Sequence, residues 1–333
     1  MGRNFKSGAG CRLAVFTILS LAVSPLSAGV FNVTDANDTY SVASLRGAIM
    51  MANQHGGKNT IILGRELRLP PQRRSQPQPW VFHLTISGAD EDATRTGDLD
   101  ITRGDLTIIG ATSNVVIDAT GMGDRVFQVF TNARLTLQNV TVTGGNSPAG
   151  TNNYGLNGVS GDGENGGAIY NAGSLTLNDC VINGNSSGVG GNGIDVFPNG
   201  SWNGNGGAGG GIFNAGVLTM NDCVVSGNTG GASGAGGYSV NSQGYAQDSQ
   251  GNGGDGGGIY NIGRATINAC NIFSNLCGKT IHQIDQDNII ISFIIPSFQR
   301  VGYRNHGFSI GRPVRLIQCG YASSTVALEW LPS

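Results

Sequence analysis

Carboxylates, aromatic rings and thiols are the groups in this chain whose types and spacing could do chemistry. Asp179 and Asp222 hold matching places in two near-identical stretches, so a stacked fold would set them on neighbouring layers. Paired carboxylates at that separation are what acid–base work or a cation site requires. The third matching place holds Ala269, which breaks the series and favours aspartates that serve turns through local backbone. Gly190-Gly191-Asn192-Gly193-Ile194-Asp195-Val196-Phe197 fits the G-G-x-G-x-D-x-U calcium repeat, with Asp195 as the ligand. Such sites share each ion between tandem copies and this is one copy, so Ca²⁺ at Asp195 is a candidate and no other cofactor is called for. Tyr154, Trp202, Tyr238 and Tyr245 are candidate binding aromatics in the glycine-rich stretches. They could stack on sugar rings or fold back over the scaffold. Arg264 stands alone, and His55, His83, His282 and His306 all lie outside the repeats. No catalytic constellation emerges, and the chain reads as a non-enzyme more than as an enzyme.

The elements that must position these groups are written three times, over 167–180, 211–223 and 258–270. The first copy reads Gly167-Ala168-Ile169-Tyr170-Asn171-Ala172-Gly173-Ser174-Leu175-Thr176-Leu177-Asn178-Asp179-Cys180. Copies spaced by roughly 40 to 50 residues mean one structural unit stacked on itself. Each copy holds a triplet of short strand patterns, and similar triplets begin at Leu99. Strands of this length between tight turns predict an all-β, three-sided solenoid, the right-handed parallel β-helix. Period-two alternation puts Leu175, Leu177, Cys180 and Ile182 inside, with Thr176 and Val181 outside. Asn171, Asn214 and Asn261 are equivalent, as are Asn185, Asn228 and Asn275, and read as amide ladders at turns. Cys180, Cys223 and Cys270 read as a stacked thiol ladder, since free cysteine behaves as a small buried hydrophobe. Each copy is followed or preceded by a long polar excursion, at 146–166, 186–210 and 229–257. All three leave from one corner and are expected to project side by side. Their composition favours solvated, flexible insertion.

Ahead of the repeats, Leu45, Ala48, Ile49 and Ala52 share one helical face and Ser44 suits the N-cap. A short helix here would cover the open apolar end of the stack. The chain has 56 glycines in 333 residues, with no collagen-like period, and its formal net charge of -2 argues against a nucleic-acid partner. Arg3, Lys6 and Arg12 precede an apolar run over 13–23 and the small residues Ser27-Ala28-Gly29, which predicts an export signal over 1–28. The chain then divides into a cap and first coil at 29–97, repeats at 98–275, and an atypical segment at 276–333. That last segment is a terminal cap or sequence read out of the natural frame, and the second alternative makes the chain a truncated gene product.

Ser44-Leu45-Arg46-Gly47-Ala48-Ile49 with Ala52-Asn53 resembles the SLRxAI…AN motif of secreted bacterial right-handed β-helix proteins. Gly166-Gly167-Ala168-Ile169 resembles the GGA[ILV] repeat of chlamydial polymorphic membrane proteins. Gly47 departs from the Glu or Gln usual in the opening motif. The resemblance implies an extracellular or cell-surface protein, at a bacterial outer membrane, touching the membrane only through export or attachment. The leading expectation is an adhesin-like scaffold presenting its glycine-rich loops to a glycan or a surface protein. The competing one, by analogy of a pectin-lyase-like fold, is a polysaccharide lyase or hydrolase.

Overall fold

A computed structural model describes residues 28–64, 79–89, 92–112, 114–155, 158–194, 201–236, 238–240, 246–248, 251–279, 308–310 and 315–317. The expected export signal therefore lies outside the described residues, apart from Ala28. The chain opens with β1 (Gly29–Val33), α1 (Leu45–His55), β2 (Lys58–Leu63) and β3 (Trp80–His83). Triplets follow. They are β4 (Leu99–Ile101), β5 (Gly104–Gly110) and β6 (Val115–Asp118), then β7 (Phe127–Val129), β8 (Ala133–Gln138) and β9 (Val140–Thr143). Next come β10 (Ile169–Asn171), β11 (Ser174–Asn178) and β12 (Val181–Asn183), then β13 (Ile212–Asn214), β14 (Val217–Asn221) and β15 (Val224–Ser226). After a short antiparallel pair, β16 (Tyr238–Val240) and β17 (Ala246–Asp248), the last triplet is β18 (Ile259–Asn261), β19 (Arg264–Asn268) and β20 (Asn271–Phe273).

Among the described residues these strands build three parallel sheets, and each triplet gives one strand to each sheet. The sheet through β4, β7, β10, β13 and β18 comes first in every triplet; the sheet through β5, β8, β11, β14 and β19 comes second; the sheet through β6, β9, β12, β15 and β20 comes third. Register is kept from layer to layer, so Leu135, Leu175, Leu218 and Ala265 align, as do Leu137, Leu177, Met220 and Ile267. All eight are buried, and with Cys180, Ile182 and their equivalents they belong to one continuous core. The expected inward set is therefore the observed one, because a parallel ladder with matched triplets keeps every alternate side chain on the same side. Two further strands, β21 (Phe308–Ile310) and β22 (Arg315–Ile317), pair with β19 and β20.

The helix forms as the sequence predicts. Leu45, Ala48, Ile49 and Ala52 are buried in the core, and the Ser44 hydroxyl accepts from the Gly47 amide at 3.3 Å. Gly47 has a steric reason to depart from the motif it resembles: a Cβ there would meet the Ser41 carbonyl oxygen at 2.0 Å. At the corner between the second and third sheets, Asn139, Asp179, Asp222 and Ala269 take φ of 57, 52, 53 and 51°. Asp179 and Asp222 are exposed and serve the turn through left-handed backbone, which Asn and Asp tolerate better than other residues.

Candidate functional site

The excursions run between the third sheet and the first, so all three leave the stack at one corner, as expected. They are not solvated insertions over the described residues. Outgoing arms (146–153, 186–194, 229–236) and return arms (158–166, 201–210, 251–257) interlock through backbone hydrogen bonds into a slab. The Gly204 and Gly207 amides of a return arm donate to the Gly191 and Gly188 carbonyls of the outgoing arm in the same layer. Gly231 and Gly234, one layer on, donate to Gly207 and Gly204. Gly254 continues the series to Gly231, and Gly278 to Gly254. Partners recur every third residue, the period of a polyproline II chain. Here the neighbouring arms, not water, satisfy the backbone groups, which answers the accounting problem of a long loop without side chains.

Close approach explains why these positions are glycine. A Cβ on Gly204 would lie 1.8 Å from the Gly161 carbonyl oxygen, and one on Gly191 2.1 Å from that of Thr151. The correction to the flexible-insertion reading has that physical reason: glycine lets backbone pack on backbone, a core that hydrophobic periodicity does not register. The lattice also runs on past Asn275. Gly230 and Ser233 donate to the Leu276 and Lys279 carbonyls, so 276–279 begins a fourth outgoing arm.

Small polar side chains such as Ser187, Ser201 and Asn203 are buried within the lattice, and the exposed side chains fall on the side of each arm that it leaves open. On the return face, Val159, Asp162 and Asn165 lie on one layer, Trp202, Asn205 and Ala208 on the next, and Asn252 and Asp255 on the third. Val159 and Trp202 are bridged in parallel register and are 69% and 49% exposed. Asp162 Oδ1 accepts from the Asn205 amide at 2.7 Å and from Asn205 Nδ2 at 2.9 Å. Asn205 Oδ1 in turn accepts from the Asn252 amide at 2.8 Å. Tyr154 stands at the tip of the first layer, 64% exposed. Of the other aromatics, Tyr238 opens β16, while Tyr245 and the calcium candidate Asp195 lie outside the described residues. Among the described residues no group of three His, Cys, Asp or Glu side chains is placed to hold a metal ion.

Arg125 roots the slab. Buried at 7% exposure, its guanidinium pairs with Glu164 on the first return arm and hydrogen-bonds Gln128 Oε1. It also sits 3.8 Å from Asp98 Oδ2 and 5.6 Å from the centre of the Tyr170 ring. Tyr170, Phe213 and Tyr260 stack outward along the first sheet with centroid separations of 5.1 and 5.5 Å. Beneath Arg125, Asp98 shares a buried pocket of charge with Asp100 and Asp124. Burial, then those two carboxyls, push the Asp98 carboxyl up to about 9, against the pull of Arg125 and Arg46. Arg46 is wholly buried and reaches Asp38 through both Nε and Nη2. It also donates to the carbonyls of Thr94, Gly97 and Asp98.

No family model, curated protein or solved structure matches this chain.

The predicted ladders are assembled as stacks. Asn171 Nδ2 donates to Asn214 Oδ1 and Asn214 Nδ2 to Asn261 Oδ1, both at 2.6 Å. Asn185, Asn228 and Asn275 repeat this at 2.9 Å, buried beside the corner where the arms leave. The three repeat cysteines are free and buried, and the Cys180 and Cys223 amides donate to the sulfur of the next cysteine at 3.4 Å. Hydrogen bonding to Cys180 pushes the Cys223 thiol up to about 12, and bonding to Cys223 raises Cys270 as well. Sequence reasoning missed a third ladder, Asn178–Asn221–Asn268, linked at 2.8 Å, although its members are as equivalent as the others. It also missed Arg46, Arg125 and Glu164. The signal available for Glu164 was scarcity: glutamate is rare in this chain, with four in 333 residues.

Proposed function

We propose that this chain is a right-handed parallel β-helix, exported to the cell surface or medium, that acts as an adhesin-like scaffold. Its role is to hold out the glycine-packed slab for a glycan or a surface protein. Rotation of the chain through three parallel sheets supports the solenoid, and parallel crossovers are right-handed almost without exception. The basic start, apolar run and small residues at the N-terminus, with the SLRxAI-like motif, support export.

The observation that carries the recognition role is the order of the slab. Long excursions that only fill solvent have no reason to spend backbone hydrogen bonds on one another. Here successive layers are locked to a common register and leave side chains on a flat face. Ordered segments projecting from a rigid stack are where binding residues are held. The acids that cluster, Asp98, Asp100 and Asp124, are buried, which does not suit turnover of a polysaccharide.

Two measurements test this. The purified chain is applied to a glycan array and a surface-protein panel, and separately incubated with pectin and alginate. Capture without depolymerisation is expected; release of new sugar ends would overturn the scaffold reading. Mass analysis of protein from the culture medium is expected to find a chain starting near Gly29.

A further inference from the structure

We infer that the return face of the slab is a binding site for neutral glycan chains. Trp202 is the stacking platform, and the Asp162–Asn205–Asn252 row is the polar rail beside it. This rests on the scaffold reading and names the ligand class of its slab.

The chemistry of the face selects the ligand. Trp202 is half exposed on an arm pinned to the layer below by two hydrogen bonds, from the Ser160 amide to its carbonyl and from its own amide to the Gly158 carbonyl. The backbone under the indole is therefore fixed before any ligand arrives, which lowers the ordering cost of binding. An exposed aromatic face meets the flat C–H face of a pyranose, and the ring's partial negative charge favours those C–H groups.

Hydroxyls need fixed partners beside that platform. Asn205 is held by Asp162 below and by the Asn252 amide above. Asp162 spends Oδ1 on this and leaves Oδ2 for a sugar hydroxyl, while the exposed Asn252 offers its side-chain amide. Successive positions on one arm lie about 9 Å apart at the rise of a polyproline II chain, and layers lie about 4.8 Å apart. The result is a flat, regular grid, suited to an extended chain more than to a compact small molecule.

Charge excludes the anionic alternative. The return arms over 158–166, 201–210 and 251–257 carry Asp162, Glu164 and Asp255 and neither lysine nor arginine. Arg125 pairs with Glu164 but is buried. A polyuronate would meet only negative charge here. A protein partner is disfavoured for another reason. Among the described residues Val159 and Trp202 are the large apolar side chains of the face, too few for the apolar centre of a stable protein interface.

The test is calorimetric titration of the full chain with cellohexaose, mannohexaose and maltohexaose, with hexagalacturonate as the anionic comparison. At least one neutral hexasaccharide is expected to bind, with hexagalacturonate weaker by about tenfold or more. Trp202→Ala is expected to weaken the neutral ligand by about tenfold, the loss of one aromatic platform, and Trp202→Phe to retain most of the affinity. Trp202 is exposed, so an unchanged melting temperature is expected for both variants. Unchanged affinity in Trp202→Ala, tighter binding of hexagalacturonate, or no neutral ligand bound at about 1 mM would overturn the inference. Retained capture of other array glycans or of a surface protein by Trp202→Ala would overturn it while leaving the scaffold reading standing. Depolymerisation of pectin or alginate would remove the scaffold reading instead.

Discussion

A methyl group on Gly231 would lie 1.8 Å from the carbonyl oxygen of Gly188, one layer below in the slab. No rotamer change relieves that contact, because both partners are backbone. Gly231→Ala is therefore expected to force layers apart and to destabilise the chain by about 1–3 kcal/mol, the usual range for overpacking. The neighbouring Ala232→Ser, which points out of the lattice, should stay within about 0.5 kcal/mol of the parent. Thermal or denaturant unfolding of the two variants checks this, and equal stability would show that the arms do not pack on one another.

Asn228 joins two hydrogen-bonded neighbours inside the corner from which the arms leave. Its Nδ2 donates to Asn275 Oδ1 and the Ile182 carbonyl, and its Oδ1 accepts from the Asn185 amide and side chain. Asn228→Ala strands partners on both sides in a buried site. Each buried polar group left unpaired costs about 1–3 kcal/mol, so this variant is expected to lose more stability than the half-buried Asn221→Ala. Chemical denaturation of the pair gives the ordering.

Stability should also fall as pH rises. The Asp98 carboxyl titrates at about 9 in the fold, above its ordinary value of 3.8. The folded chain thus holds a proton that the unfolded chain gives up. That contribution is fully present below about pH 4 and is lost progressively as pH rises to about 9. Asp98→Asn mimics the protonated form and is expected to flatten this slope in melting temperature between pH 5 and 9. An unchanged slope would place the titration elsewhere.

Ala269 sits at φ 51° where the equivalent positions hold Asn139, Asp179 and Asp222. A left-handed backbone costs a residue with a Cβ about 1 kcal/mol, and asparagine recovers part of it through local hydrogen bonding. Ala269→Asn is expected to raise stability by a few tenths to about 1 kcal/mol, read as a higher denaturation midpoint with an unchanged slope.

Much of the scaffold could be read before any coordinates. The inward set of Leu175, Leu177, Cys180 and Ile182 follows from alternation alone, and equivalence between copies then aligns Leu218 with Leu175 and Met220 with Leu177. The amide and thiol ladders follow from the same equivalence. The slab was less accessible because its packing involves no apolar side chains. Its period of three was nevertheless present, as in Gly204, Gly207 and Gly210. Trp202 could be named as a candidate, but not the row of Asp162, Asn205 and Asn252 beside it, because that row exists only once the arms are in register.

The sequence by itself determined the repeating unit, the strand triplet, which side chains face the core, and the corner from which the excursions depart. These are consequences of spacing and alternation, which act locally. Tertiary structure alone decided that the excursions would pack, that Arg46 would be buried against carbonyls some fifty residues away, and that Arg125 would tie the first return arm to the stack. Those contacts join segments far apart in the chain, and close approach of backbones, not residue type at a fixed interval, selects them.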